Sequence, residues 1–282
     1  MNIVLVYNPK SGTSLSAKEL RIKCESNGIK IIKLIPLSHK IEHQLKPYIE
    51  AGLTIAAIGG DGTISSIAGI VAGTKATFAP LPGGTLNHFT KDLGIPREID
   101  KALARLAHAK LSVVDVGSVN NKVFINNVSF GIYPASLKVR EEYESRIGKW
   151  PAAIVGTISA FIRFHRYNIV LDGRRIKTPF VFVGNNLYDM TDMGVTTRKS
   201  LVSGELGVVV VRAASRIHVV MIGIRVILGT AHLLKEFEVF TTKTMTIEAK
   251  RKSIHVSHDG EVSKMHLPLT FEIRSKSLRI LK

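Results

Sequence analysis

Three short stretches in the first third of the sequence contain residue types that bind phosphate. They are N-P-K-S-G at 8–12, G-G-D-G-T at 59–63 and P-G-G-T-L-N at 82–87. Lys10, Ser11 and the backbone N–H groups at a helix start would bind an anion. Gly59 and Gly60 would let the backbone approach a phosphate without a side-chain clash, and Asp61 would act on Mg²⁺. For each stretch, a turn that only caps a helix remains the alternative.

Each stretch follows a strand-like segment and precedes a helix-like one. The predicted strands are N-I-V-L-V-Y-N, I-K-I-I-K-L-I-P-L, L-T-I-A-A-I-G-G and A-T-F-A-P-L-P-G-G. Strand, loop and helix repeat four times, which is typical of a parallel sheet with helices on both faces. The carboxyl ends of parallel strands share one edge of the sheet, where ligands bind. The three loops are therefore expected at one edge of the sheet, where the two glycine-threonine loops, at 59–63 and 82–87, would form a two-sided cradle for a polyphosphate.

The pattern changes near Val113, after which short strands and hairpin-type turns at Asn120-Asn121, Asp172-Gly173 and Asp259-Gly260 predominate. The predicted class is α/β, with an N-terminal doubly wound, mostly parallel sheet followed by a β-rich, antiparallel, sandwich-like domain. The predicted boundaries are 1–119, together with a C-terminal strand at about 274–282, and 120–273. Within the second domain, the apolar stretch 217–234 is predicted to be a packed helix with an interfacial face. Arg225 near its middle disfavours a membrane span.

The chain has 282 residues and a formal net charge of +17, from 39 Lys and Arg against 22 Asp and Glu. This excess favours anionic membrane surfaces or nucleotides as partners, although a basic protein with no specific polyanion partner is the simpler alternative. Nucleic acid is disfavoured, because aromatic residues make up only 6% and no recognition module is present. A single cysteine and the lack of a signal-like start favour the cytoplasm. A homodimer is a further expectation.

Five motifs occur in order along the chain: N-P-x-S-G, G-G-D-G-T, G-G-T-x-N, V-D-V-G at Val114 and a late D-G-E at Asp259. Together they resemble the catalytic domain shared by diacylglycerol kinases, sphingosine kinases and bacterial lipid kinases. The resemblance implies that the first domain binds ATP, that the second holds a lipid, and that the site lies between them. It also implies peripheral association with the inner face of the membrane.

The resemblance also assigns roles to individual residues. Asp259 would be the general base for the lipid hydroxyl, and Glu261 would support that base or the metal. Asp61 and Asp115 would belong to the polar network around Mg²⁺, and Asp92 would partly replace an aspartate of the family pattern. The residues expected around the nucleotide and its phosphates are Asn8, Lys10, Ser11, Gly12, Gly59, Gly60, Asp61, Gly62, Thr63, Gly83, Gly84, Thr85 and Asn87.

The sequence departs from the family pattern at two places. Ser65 and Ser66 follow Ile64 where the family commonly has Asn-Glu, and His88 stands where it commonly has Asp. Two other functions therefore stay open. One is an NAD kinase-like phosphotransferase acting on a soluble hydroxyl, because G-G-D-G-T alone also occurs there. The other is a catalytically weak regulator that binds nucleotide or membrane. By spacing alone, Asp259 and Glu261 are most typical of a hairpin turn.

Overall fold

A computed structural model describes residues 1–9, 15–131, 166–189, 197–212, 215, 217–218, 221 and 237–282. Three residues of the predicted phosphate site, Lys10, Ser11 and Gly12, lie outside the described residues. So does the predicted helix at 217–234, apart from Ile217, His218 and Met221.

The N-terminal part alternates strands and helices as predicted. Its elements are β1 (Asn2–Tyr7), α1 (Ala17–Ser26), β2 (Lys30–Pro36), α2 (Ile41–Glu50), β3 (Thr54–Gly59), α3 (Asp61–Val71), β4 (Thr77–Pro82), α4 (His88–Asp92) and α5 (Ile99–Ala107). The four strands pair in parallel in the order β2-β1-β3-β4.

Helices cover both faces of this parallel sheet, which explains why its central strands are continuously apolar. Successive residues of β1 point into two different cores. Val4 and Val6 pack with α2 and α3 on one face. Ile3 and Leu5 pack with α1 and α5 on the other face. The sheet is therefore doubly wound.

The rest of the chain is almost entirely β. Its strands are β5 (Leu111–Val119), β6 (Lys122–Phe124), β7 (Asn127–Gly131), β8 (Tyr167–Leu171), β9 (Arg174–Thr178), β10 (Phe180–Asn185), β11 (Tyr188–Asp189), β12 (Thr197–Arg198), β13 (Leu206–Val211), β14 (Phe237–Thr242), β15 (Thr244–Ala249), β16 (Ser253–His258), β17 (Glu261–His266) and β18 (Leu269–Leu281). A six-stranded antiparallel sheet has the order β14-β13-β10-β7-β16-β17. Its apolar face packs against β5, β8, β15 and β18, around Phe124, Phe130 and Phe271.

The long C-terminal strand β18 connects the two parts of the molecule. Leu269 to Glu272 pair with β15, whereas Ile280 pairs in parallel with Phe78 of β4. The resulting ten-stranded sheet follows the path β2-β1-β3-β4-β18-β15-β8-β9, and β5 and β6 branch from it. The predicted fold class is confirmed, while the exact domain boundaries stay a prediction.

The three predicted hairpin turns are all present, each with two residues between the paired strand ends. The paired ends are Val119 with Lys122, Leu171 with Arg174, and His258 with Glu261. Both turn residues have positive φ in each hairpin, which is the type I′ geometry that Asn and Gly favour. Across the part of the chain that the structure describes, no helix has the length and apolar character needed to cross a membrane.

Candidate active site

The described parts of the three phosphate-type loops meet at the carboxyl edge of the parallel sheet, as predicted. They enclose one side of a cleft of about 490 Å³, whose lining residues are Asn8, Leu37, Ser38, Gly60, Gly62, Thr63, Ser66, Gly83, Gly84 and Glu261. The Asn8 side-chain amide donates to Thr63 Oγ1 at 3.4 Å, and this contact ties the first loop to the second. One wall of this cleft therefore consists of backbone from the loops that the sequence predicts to bind phosphate.

The glycines of the second and third loops allow the two loops to touch each other. A Cβ on Gly83 would lie 2.8 Å from the backbone nitrogen of Gly59, and one on Gly84 would lie 2.5 Å from Gly60 Cα. Such distances are too short for any side chain, so these positions require glycine because of the adjacent loop. The sequence had suggested only that the glycines admit a phosphate.

Asp61 fixes the third loop relative to the second. It is the first residue of α3, and its carboxylate accepts the N–H groups of Asn87 at 2.9 Å and His88 at 2.8 Å. Asp61 therefore caps α4, which begins at His88, rather than its own helix. Asn87 has a positive φ, and its amide bonds both the N–H and the C=O of Gly84. The P-G-G-T-L-N loop is thus held by hydrogen bonds within the chain.

A second cleft of about 420 Å³ continues from the first toward the β-rich part. Its lining residues are Glu42, Gly62, Ser65, Ser66, Gly69, Ile70, Ala72, Asn121, Lys122, Val123, His258, Asp259, Glu261 and Arg274. Gly62, Ser66 and Glu261 line both clefts. The structure thus places the two carboxylates of the D-G-E motif on a path that starts at the phosphate-type loops.

Asp259 is buried although it belongs to a hairpin turn. It is the first turn residue between β16 and β17, with φ +46°, and only 7% of it is exposed. Its Oδ1 accepts the N–H groups of Asn126 and Asn127, at 2.8 and 2.9 Å. Its Oδ2 accepts the N–H of Ile125 at 2.9 Å and the hydroxyl of Ser65. The turn 125–127 and helix α3 thus both hold this carboxylate.

Glu261 lies two residues further along, at the start of β17, and faces the second phosphate-type loop. A Cβ on Gly62 would lie 3.1 Å from Glu261 Oε1. Mg²⁺ in kinase-type sites is commonly held by one or two carboxylates together with the substrate phosphates. Glu261 fits that donor set, because its carboxylate borders both clefts.

His258, next to Asp259, was not singled out from the sequence. It is 5% exposed, lines the second cleft and packs edge-to-face against Phe124. Its Nε2 is buried, and no described residue provides it with a hydrogen-bond partner. Burial lowers the pKa of the imidazole and the charge of Lys122 lowers it further, although the Asp259 carboxylate acts in the opposite direction. The balance lowers the pKa of the His258 imidazole and thereby favours its neutral form.

The structure does not bring Asp115 and Asp92 into the cleft lining. Asp115 is fully buried, and its carboxylate accepts from the Asn186 amide and the backbone N–H groups of Gly204 and Lys276. Asp92 forms an ion pair with Arg198 at 2.6 Å. Within the described residues, no three His, Cys, Asp or Glu side chains form a group suited to a metal ion. Asp61, Asp92 and Asp115 therefore do not assemble into one metal site here.

Arg198 is the main structural residue near the site that sequence reasoning missed. Its guanidinium contacts Asp92 of α4, donates to Ile125 O at 2.6 Å, and stacks on the rings of Phe89 and Tyr188. Burial raises the pKa of the Tyr188 hydroxyl to about 12. Arg198 thus joins α4 to the turn that holds Asp259. No local pattern indicates this role, because Asp92 lies 106 residues away in the chain.

Fold and site together define an α/β protein with an antiparallel, sandwich-like second part. A cleft beside the predicted phosphate-binding loops continues to the carboxylates of Asp259 and Glu261 in that second part. Residues 2–119 match the family model of the diacylglycerol kinase catalytic domain. Residues 127–282 match that of the YegS C-terminal NAD kinase beta sandwich-like domain. The chain therefore belongs to the diacylglycerol kinase catalytic-domain family, in the form that carries this second domain.

Named relatives agree with this assignment, and solved structures share the fold. Diacylglycerol kinases of Staphylococcus aureus strains JH9 and Newman are 28% identical over 163 residues, which cover 54% of this chain and 51% of theirs. The chain thus spans about half the length of these curated relatives. A structure of a diacylglycerol kinase from Bacillus anthracis strain Sterne has a TM-score of 0.68 at 18% identity, covering 99% of this chain and 96% of its own. Another structure from that strain has a TM-score of 0.73 at 20% identity, with the same coverage. At these identities the structures support the fold alone.

Proposed function

We propose that this protein is an ATP-dependent kinase that transfers the γ-phosphoryl group to the hydroxyl of diacylglycerol or a related lipid alcohol. The observation that supports this best is the continuous path between the two clefts, through Gly62, Ser66 and Glu261. ATP phosphates would bind at the phosphate-type loops, and the acceptor hydroxyl would enter from the side of Asp259. Family membership supports kinase chemistry, and the diacylglycerol kinases of Staphylococcus aureus support a lipid acceptor.

The electrostatics of the cleft suit phosphoryl transfer, which depends on positioning and charge stabilisation more than on covalent chemistry. Gly60, Gly83 and Gly84 present backbone at the wall where the phosphates would bind. Glu261, with the loop that Asp61 organises, would hold Mg²⁺. When bound, that ion would neutralise the charge that develops on the phosphate oxygens. Asp259 is the proposed general base, because it is the buried carboxylate at the acceptor end.

The acceptor side of the cleft also carries cationic side chains. Lys122 and Arg274 line it together with Asn121. A lipid alcohol would bind with its polar end here, and the net charge of +17 favours an anionic membrane over a neutral one as the source of that lipid. Peripheral association with the inner face of the membrane is part of the proposal, and the homodimer stays a prediction.

A product screen tests this function directly. The purified chain is incubated with labelled ATP, Mg²⁺ and total lipid extract, and with NAD in parallel, and the products are separated by chromatography. We expect one phosphorylated lipid class. A labelled nucleotide product without a lipid product would replace this proposal by the NAD kinase-like one. Nucleotide binding without any labelled product would favour the regulator.

Glu261→Gln provides a variant that keeps the fold, because the side chain lies at the cleft surface. We expect turnover to fall by about 100-fold and half-maximal activity to need more Mg²⁺, since one metal-holding charge is lost. Glu25→Gln, on the exposed side of α1, is the matched control and should retain wild-type turnover. Unchanged turnover in Glu261→Gln would show that Glu261 is not part of the site.

A further inference from the structure

The Asp259 carboxylate already has four hydrogen-bond donors. An ionised carboxylate offers about four lone-pair sites on its two oxygens. Asn126 and Asn127 N–H groups occupy Oδ1, and the Ile125 N–H and the Ser65 hydroxyl occupy Oδ2. For Asp259 to take the proton of a substrate hydroxyl, one of these donors must therefore either move aside or pass that proton to the carboxylate.

Three of the four donors are fixed backbone groups. Arg198 holds the turn 125–127 through Ile125 O at 2.6 Å and the Asn126 side chain at 3.3 Å. The backbone N–H of Asp259 bonds back to Asn127 O at 2.9 Å, which closes the arrangement. An amide N–H does not accept a proton, because its nitrogen has no basic lone pair. These three donors can hold the carboxylate of Asp259 but cannot relay a proton to it.

The fourth donor, Ser65, is different in both chemistry and position. A hydroxyl donates one hydrogen bond and accepts two, so it can receive a proton while giving up its own. Ser65 lies on α3 and lines the second cleft, the proposed acceptor cleft, beside Ser66 and Glu261, although only 8% of Ser65 is exposed. Among the four donors, it alone combines access from the cleft with acceptor capacity.

We propose that Ser65 relays the acceptor proton to Asp259. The acceptor oxygen attacks the γ-phosphorus, and the bond from phosphorus to the β,γ-bridging oxygen breaks, so that its electron pair leaves with ADP. The acceptor proton moves to Ser65 Oγ as the Ser65 proton moves to Asp259 Oδ2. Asp259 ends as a carboxylic acid and later returns its proton to water through the same hydroxyl. This inference rests on the proposed kinase function.

Single-turnover rates test the relay with four proteins: wild type, Ser65→Ala, Ser65→Thr and Ser26→Ala. Each is loaded with labelled ATP and Mg²⁺ and mixed with the lipid alcohol that the product screen identifies. We expect Ser65→Ala to lose about 100-fold in rate, within the usual range for general-base assistance. ATP affinity should not change. Ser65→Thr keeps a hydroxyl and should retain most of the rate, as should Ser26→Ala on the exposed end of α1.

A proton inventory separates a relay from a purely structural role for Ser65. The wild-type rate is measured in mixtures of H₂O and D₂O, and the relay predicts a curved dependence because two protons move together. Ser65→Ala should give a linear dependence on the D₂O fraction. The wild-type measurement needs no variant, so it stands even if Ser65→Ala does not fold.

Two outcomes would overturn the relay alone, in an enzyme that phosphorylates lipid. One is a Ser65→Ala rate within about threefold of wild type, which would mean that Asp259 accepts the proton directly. The other is a linear dependence of the wild-type rate on the D₂O fraction. A wild-type chain that binds ATP but yields no phosphorylated lipid would instead refute the proposed function, and the relay with it.

Discussion

Asp259 combines a structural role in a hairpin turn with its proposed role as the general base. Its positive φ and its neighbour Gly260 satisfy the two-residue hairpin between β16 and β17. Its carboxylate at the same time draws three N–H groups of the turn 125–127 toward α3. The hairpin interpretation of this motif is therefore correct. The hairpin turn positions the proposed base, so the structural and the chemical interpretations of Asp259 are compatible.

His258 makes stability depend on pH. Burial, and to a lesser extent the Lys122 charge, lower the pKa of the folded imidazole below its ordinary value of about 6.5. Between the folded and unfolded pKa values the unfolded chain binds more protons, so stability falls as the pH drops below about 6.5. We expect thermal scans from pH 7.5 to 5.5 to show an additional loss of about 2–4 °C, which His258→Gln should remove.

The control for this prediction is His255→Gln, on the same strand but exposed. It should keep the wild-type pH dependence, because its side chain is exposed to solvent in the folded state. An unchanged slope in His258→Gln would mean that other groups cause the acid sensitivity.

At the scale of elements, Arg198 of β12 holds α4 and the turn 125–127 in one position. Its side chain and that of Asp92 are 0% and 3% exposed, so this ion pair is desolvated. Removing one partner of a buried pair leaves an unpaired charge, whereas replacing both by apolar groups of similar size is often tolerated.

A double-mutant cycle tests this coupling. We expect Arg198→Met and Asp92→Leu each to lower the free energy of unfolding by about 3–5 kcal/mol. The double variant should lose clearly less than the sum, in urea unfolding experiments. Asp100→Asn, which breaks the exposed pair with Lys23, should cost under about 1 kcal/mol. Additive losses at Asp92 and Arg198 would show that the two elements are not coupled through this pair.

The elements that sequence predicted best are those determined by local pattern. Continuous apolar runs predicted the parallel strands, and one Asn-Asn pair and two Asp-Gly pairs predicted the three hairpins. The roles of Asp92 and Ser65 could not be predicted this way, because their partners Arg198 and Asp259 lie 106 and 194 residues away. Spacing along the chain also could not show that Gly83 and Gly84 are needed for contact between two loops.

At the scale of the whole molecule, the β-rich part has two chemically different ends. The Asp259 hairpin lies at one end of β16, and the turn 250–252 precedes its other end. Six residues of strand separate them by roughly 17–20 Å. The pairing of Ala249 with Ile169, and of Ile169 with Ile176, brings β8, β9 and β15 to this second end.

Five exposed cations lie at this second end, which we call the basic end. Its residues are Arg166, Lys177, Lys250, Arg251 and Lys252. Arg251 also stacks on Tyr167 at 5.6 Å. The ranges 166–171 and 249–258 contain no Asp or Glu. We propose an anionic membrane as the partner of this charge distribution. Because the second cleft lies at the opposite end of the same strands, a lipid would have to leave the bilayer to reach it.

Neutralising the basic end should weaken membrane binding. We expect Lys250→Gln/Arg251→Gln/Lys252→Gln to bind vesicles containing phosphatidylglycerol about 100-fold more weakly, since each cation near an anionic surface contributes about 1 kcal/mol. The difference should shrink at high salt, and nucleotide affinity should not change. Lys18→Gln/Arg21→Gln/Lys30→Gln removes the same charge from exposed sites in the α/β part. If both triple variants lose vesicle binding equally in co-sedimentation, net charge rather than the basic end determines membrane attachment.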